Sequence, residues 1–75
     1  MSKPISNAAF KKLVVNMTPQ QQQEVVSRQL RVLPQFIMDE VARTTPNEKV
    51  IKFLESRLTQ VRLMLSSIVA NGKVV

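Results

Sequence analysis

The side chains best equipped to bind another molecule in this sequence are its cations. Eleven Lys and Arg against five Asp and Glu give the 75-residue chain a net charge of +6 at pH 7. Such an excess favours attraction to nucleic acid or to an acidic protein surface. We expect six of these cations to make the contacts: Lys11, Lys12, Arg28, Arg31, Arg57 and Arg62.

Catalysis has almost no suitable residues. The chain contains no His, Cys or Tyr, so the usual bases and nucleophiles at neutral pH are missing. Asp39 and Glu40 are adjacent and point about 100° apart on a helix, which prevents them from sharing a proton. One glycine cannot build a phosphate-binding loop, and a soft metal site needs His or Cys. We therefore predict no enzymatic activity, no metal, no cofactor and no small-molecule substrate.

Two capping signals mark where helices should begin. The segments Thr18-Pro19-Gln20-Gln21 and Thr45-Pro46-Asn47-Glu48 each place Thr before Pro, with Gln or Glu two residues after the Pro. Thr caps the helix, Pro occupies its first position, and the Gln or Glu side chain reaches back to the cap. We expect a first helix capped by Ser6 or Asn7, a second from Pro19 and a third from Pro46 to about Ala70, ended by Asn71-Gly72.

The apolar residues follow a helical period in all three segments. In the last segment they recur at spacings of three and four, forming a seam of Ile51, Leu54, Leu58, Val61, Leu65 and Ile68. The second segment has the widest apolar arc, which places it between the other two. These patterns predict an all-α fold, a small three-helix bundle with a long C-terminal helix. Pro34 either kinks or splits the second helix.

One domain accounts for the whole chain, residues 1–75. Residues 1–6 should be a flexible arm that carries Lys3. Residues 73–75 form an apolar tail to which the sequence assigns no place. The run Gln20–Gln23 should lie on a solvated helix face.

The seam of the third helix also bears on self-association. In a parallel, in-register dimer, Arg57 would face Arg62 of the second copy, and this like-charge contact disfavours that arrangement. Packing on residues 19–44 of the same chain is the preferred interpretation. An antiparallel homodimer that covers the outer part of the seam remains open.

Two large apolar side chains of the third helix lie away from the seam. Phe53 and Leu63 occupy its outer face, and Met64 is beside Leu63. Single exposed apolar residues are common, but several on one outer face indicate a second contact surface. We therefore predict an apolar docking patch made of Phe53, Leu63 and Met64.

These features favour a small, non-enzymatic regulator or adaptor that docks on a larger acidic partner, such as a protein of the transcription or replication machinery. The alternative is a regulatory protein that binds DNA or RNA directly through Lys11, Lys12, Arg28 and Arg31. A structural, self-assembling subunit is the third hypothesis. No run approaches the roughly 18 apolar residues of a membrane span, so we expect a cytoplasmic protein that does not bind membranes.

Overall fold

The described part of the chain contains three helices: α1 (Asn7–Val15), α2 (Pro19–Val41) and α3 (Glu48–Asn71). The structure, a computed structural model, describes residues 5–75, and that range contains no strand. The predicted all-α class with three helices and a long C-terminal helix is confirmed. No helix in the described range is both long enough and apolar enough to cross a membrane.

Most helix ends follow the local signals. The Ser6 hydroxyl accepts a hydrogen bond from the Ala9 N–H at 3.1 Å and caps α1. Thr18 and Gln21 form the expected reciprocal box at the start of α2, with backbone to side-chain distances of 3.0 and 3.2 Å. Gly72 adopts the left-handed φ of 78° that ends α3. Local side-chain chemistry therefore determines these three boundaries.

The predicted start of α3 was wrong by two residues. Asn47, rather than Thr45, is the N-cap, and its Oδ1 accepts the backbone N–H groups of Lys49 and Val50 at 3.0 and 3.3 Å. Asn caps helices at least as well as Thr. In addition, the Glu40 carboxylate accepts the Asn47 N–H at 3.1 Å from across the turn. This tertiary contact holds residue 47 where the helix begins.

α2 continues through Pro34 as one helix of 23 residues. The alternative in which Pro34 splits the second segment into two helices is therefore wrong. Pro34 is exposed, so the helix loses one backbone hydrogen bond at its solvated side. The kink at this position stays a prediction.

α2 and α3 are antiparallel neighbours joined by residues 42–47, and they share the largest contact in the fold. α1 lies along one side of this hairpin and touches both helices. The Asn7 amide, for example, donates to the Ser56 hydroxyl at 2.8 Å. The expectation that α1 and α3 lie on opposite sides of α2 was therefore wrong, since α1 sits in the groove between them.

The core collects residues from every helix and from the C-terminal tail. Val14, Val26 and Val61 are fully buried at its centre, and Val74 of the tail is buried with them. Of the predicted arm at residues 1–6, residues 1–4 lie outside the described residues. Ser6 caps α1, and the Ile5 carbonyl bonds to Arg57.

Gln22 holds the tail in place. Its amide Nε2 donates to the carbonyls of Val14 and Val74 at 2.8 and 3.3 Å, and its Oε1 accepts the Val74 N–H at 2.8 Å. Only 2% of Gln22 is exposed. The prediction that the run Gln20–Gln23 is solvated therefore fails at this residue, because the end of α1 and the tail both cover it.

α3 is rotated relative to the predicted seam. Its buried residues are Arg57, Val61, Met64 and Ile68, whereas Leu65 of the seam is 40% exposed. At about 100° per residue, the buried stripe is turned by roughly 60° from the centre of the seam. The cause is α1, which packs against the Arg57 side of α3 and draws burial toward itself.

Candidate macromolecular interface

Five of the six cations predicted to make contacts are exposed: Lys11, Lys12, Arg28, Arg31 and Arg62. In the described part of the chain, none of the five lies within ion-pair distance of an acidic side chain. The one ion pair there joins Arg43 to Glu40 at 3.8 Å. These five charges are consequently free to meet a partner.

The structure does not gather these cations on one face. Lys11 lies beside Leu63 and Ser67 of α3, along a small cleft near the C-terminus. Arg28 lines a different groove, between the end of α1 and α2. Arg62 is on the flank of α3 turned away from α1, five residues from Arg57 along the helix. A continuous basic stripe typical of nucleic-acid-binding proteins is not formed by them.

The sixth cation, Arg57, is an internal residue, so its prediction as a contact residue was wrong. It is only 7% exposed. Its Nε donates to Asn7 Oδ1 at 2.8 Å and its Nη2 donates to the Ile5 carbonyl at 2.6 Å. Burial lowers the pKa of the guanidinium, yet arginine stays protonated at neutral pH. Arg57 thus joins the start of α1 to α3 and is not available to a partner.

Two aromatic rings complete the site around Arg57. Its guanidinium carbon lies 4.3 Å from the centroid of the Phe10 ring and 5.0 Å from that of Phe53. Both distances are typical of cation–π contacts. Phe53 precedes Arg57 by four residues, a spacing that indicates contact on one helix. Phe10 is 47 residues away in the chain, and nothing in the local sequence indicates its contribution.

The predicted apolar patch of Phe53, Leu63 and Met64 does not exist as one surface. Met64 is buried in the core beneath α1, because of the rotation of α3. Phe53 is half-buried against Arg57, while Leu63 is 67% exposed. Ten residues of helix, about 15 Å, separate Phe53 from Leu63. These two residues therefore lie on separate surfaces.

A different apolar surface arises because α1 is short. α1 has nine residues and spans about 13 Å, whereas the 24 residues of α3 span about 36 Å. α1 begins beside Ser56, Arg57 and Gln60 and runs from there toward the C-terminal end of α3. It leaves uncovered the half of the hairpin next to the connecting turn, which we call the distal half: residues 33–41 and 48–55.

On the side where α1 lies, the helical spacing places three apolar side chains in the distal half. Phe36 follows Gln22 by fourteen residues, and Phe53 precedes Gln60 by seven. Residues seven or fourteen positions apart lie on the same face of a helix. Both rings are therefore on the helix faces that contact α1 closer to the chain termini. Phe36 is 53% exposed, and Val50 is 38% exposed. We call Phe36, Val50 and Phe53 the distal groove.

Charges of both signs surround the distal groove. Lys49 precedes Ser56 by seven residues and so lies on the same side as α1, and Lys52 is exposed three residues further along α3. Arg43, in the connecting turn, pairs with Glu40 at 3.8 Å. On the α2 side the Asp39 carboxylate accepts a hydrogen bond from Gln35 at 3.0 Å. Among the described residues, Lys49 and Lys52 are therefore the cations next to the groove that form no ion pair.

No protein-family model matches the chain, and comparisons with curated proteins and with solved structures give no significant match. A helical bundle of this kind serves many functions, so fold alone does not indicate one. Function must be argued from the surfaces described above.

Proposed function

We propose that the protein is a small, non-enzymatic, cytoplasmic adaptor or regulator that binds an acidic amphipathic helix of a larger macromolecular partner. The distal groove is the surface on which this proposal depends. It continues the line of α1 along the hairpin and exposes Phe36 and Val50 to solvent. A component of the transcription or replication machinery is the class of partner that we favour.

A helix fits the distal groove because α1 already packs in the other half of the same groove. The distal half is eight residues long on α3 and nine on α2, about 12–13 Å, so about nine residues of a bound helix lie along it. An amphipathic helix lays its apolar face in such a groove and keeps its polar face in water. Phe36 and Phe53 are the residues most suited to anchor it, since buried aromatic residues contribute much of the binding energy at interfaces.

Charge favours an acidic partner. The chain carries +6, and the exposed Lys49 and Lys52 lie near the groove. Complementary charge accelerates the association of this chain with an acidic partner and disfavours the binding of basic proteins. Asp39 lies on the α2 side of the groove and would repel an acidic residue of the bound helix next to it.

The test uses two labelled 14-residue amphipathic peptides that share one leucine face. One has Glu on its polar face and the other has Lys. Fluorescence anisotropy should show that the Glu peptide binds at least tenfold more tightly than the Lys peptide. Phe36→Ser should weaken that binding by about tenfold or more, since it removes an exposed anchor at little cost to the fold.

Met38→Ser is the matched control. Met38 is 65% exposed on the same helix, but two residues beyond Phe36 it points to a different side. It should bind the Glu peptide as the wild type does. Equal affinity for both peptides, or equal losses in the two variants, would show that the distal groove is not the docking site.

Direct binding of nucleic acid is the alternative, and the exposure of Lys11, Lys12, Arg28 and Arg31 favours it. Titration into a labelled DNA duplex and a labelled RNA at two salt concentrations tests it. Binding should weaken with a log–log slope of about −0.9 for each phosphate neutralised. It should also decrease when Arg28 and Arg31 are replaced by Ala. Absence of binding at low salt excludes this alternative.

A further inference from the structure

We infer that the face of the hairpin opposite α1 is a homodimer interface in which two α3 helices pack antiparallel, with the two-fold axis beside Leu58. We call this face the open face. Its apolar residues are Leu30, Ile37 and Val41 of α2 and Ile51, Leu54, Leu58, Leu65 and Val69 of α3. This inference concerns self-association and does not depend on the partner proposed above.

The open face follows from the rotation of α3. Ile51, Leu58 and Leu65 recur every seven residues and form one edge of the predicted seam. Ile51 and Leu58 are half-buried, and Leu58 packs partly against the core. Leu65 is 40% exposed and Val69 is 79% exposed. All lie on the flank of α3 away from Arg57 and Gln60, the residues that contact α1, so the part of the stripe that solvent reaches is available to a second copy.

α2 extends the same surface. Leu30 and Ile37, seven residues apart, are half-buried, and Val41 is 55% exposed. They lie on the opposite flank of α2 from Val25 and Phe36, which face the α1 side. Two antiparallel helices therefore contribute adjoining stripes to one apolar face.

The apolar stripe on α3 matches the same stripe of a second copy that runs in the opposite direction. Ile51 and Leu65 are each seven residues from Leu58. With a two-fold axis beside Leu58, Ile51 meets the partner's Leu65, and Leu58 meets the partner's Leu58. A closed two-fold dimer requires a self-complementary patch of this kind.

The charges flanking this stripe obey the same symmetry. Glu55 precedes Leu58 by three residues and Arg62 follows it by four, and both are exposed. Antiparallel packing brings Glu55 to the partner's Arg62, and the axis repeats that pair. Parallel packing would instead place identical charges at the same level. Charge complementarity therefore selects a second copy in antiparallel orientation.

The open face is large enough for a stable contact. A hairpin about 36 Å long and two helix diameters wide presents roughly 700 Å² in projection, close to the approximately 800 Å² per partner of a standard interface. The chain has no Cys for a disulfide, and small domains without one commonly gain stability by association. α1 and the distal groove remain outside this dimer.

Sedimentation equilibrium on the full chain tests the dimer. The wild type should approach twice the 8.5 kDa mass of one chain at micromolar concentrations. Leu65→Glu should weaken the dimer by at least thirtyfold, because it buries a charge in the interface. Leu63→Glu is the matched control, since Leu63 lies on another side of α3 and should leave association unchanged.

Charge reversal provides a second test that perturbs the fold little, because both residues are exposed. Glu55→Arg alone puts a second positive charge next to the partner's Arg62, and the two-fold axis repeats this repulsion. It should weaken the dimer by about tenfold. Combining it with Arg62→Glu recreates both ion pairs and should restore affinity to within about threefold of the wild type. Far-ultraviolet circular dichroism confirms that each variant keeps its helices.

Three results would overturn the inference. The first is a wild type that stays monomeric up to about 1 mM. The second is an equal effect of Leu63→Glu and Leu65→Glu. The third is a double charge reversal no better than the single one, which would exclude the antiparallel register. None of these results affects the peptide-binding test, so the failure of one proposal is distinguishable from the failure of the other.

Discussion

Gln22 and Arg57 are polar residues that connect parts of the chain distant in sequence. Gln22 bonds to Val14, eight residues before it, and to Val74, 52 residues after it. Arg57 bonds to Asn7 and Ile5 and contacts two aromatic rings. A buried polar group is costly unless its hydrogen bonds are made. These two residues therefore contribute to stability mainly through the backbone and side-chain groups that they satisfy.

Replacing Gln22 should destabilise the protein strongly. Gln22→Leu keeps a similar volume but leaves the Val74 N–H and the carbonyls of Val14 and Val74 without their partner, so we expect a loss of about 2–4 kcal/mol in the free energy of unfolding. Gln23→Leu, at the exposed neighbouring position, should change it by less than about 0.5 kcal/mol. Urea denaturation followed by circular dichroism measures both.

Truncation after Lys73 provides the control for the Gln22 mechanism. Without Val74, two of the three backbone groups left unsatisfied by Gln22→Leu are already absent. The substitution should therefore cost less in the truncated chain than in the full chain. Equal costs in the two backgrounds would show that the bond to the tail does not contribute.

At the scale of single elements, the ends of the helices depend on short-range capping. Ser6, Thr18 and Gly72 act as their local sequence indicates. α3 is the exception, since the chain offers two capping residues, Thr45 and Asn47, within three positions. Glu40, at the end of α2, bonds to the backbone of Asn47 and favours the later start.

Substitution distinguishes the two caps of α3. Asn47→Ala removes the acceptor for two backbone N–H groups and should lower the free energy of unfolding by about 1 kcal/mol. Thr45→Ala should lower it by less than about 0.5 kcal/mol, because Thr45 lies outside the helix. Thermal and urea denaturation of both variants gives the comparison. A larger loss for Thr45→Ala would return the start of α3 to residue 46.

At the scale of the whole molecule, burial is uneven along the hairpin. Among the described residues 5–75, the half next to the chain termini has α1, the tail and most of the core, whereas the distal half consists of α2 and α3 alone. Local stability follows the density of buried contacts. The surfaces proposed for the partner and for the second copy both include residues of the less covered half.

Hydrogen exchange should reveal this difference. Amides in residues 36–41 and 48–53 should exchange at least tenfold faster than those in residues 23–30 and 61–68, because local opening there exposes less buried apolar surface. Exchange followed by nuclear magnetic resonance at low protein concentration, where association is minimal, measures each amide. Uniform protection along α2 and α3 would show that the hairpin opens only as a unit.

Residue patterns within a few positions of one another were sufficient to predict the number of helices, the cap at Thr18 and the end at Gly72, and they limited the first cap to Ser6 or Asn7. These features depend on contacts within one or two helical turns, so the local sequence contains all the participants. The exposure of Lys11, Lys12, Arg28, Arg31 and Arg62 also agrees with their polar surroundings in the helical pattern.

The roles of Gln22, Arg57 and Met64 became evident only in the folded chain. Each depends on how α1 and the tail pack against the hairpin, through contacts that cross about 50 residues of sequence. The helical period of the apolar residues indicates which side of a helix is apolar. It does not determine which neighbouring helix covers that side, or how far the helix is rotated about its own axis. The placement of α1 on one side of α3 moved burial toward Arg57 and Met64 and left Leu65 of the predicted seam 40% exposed.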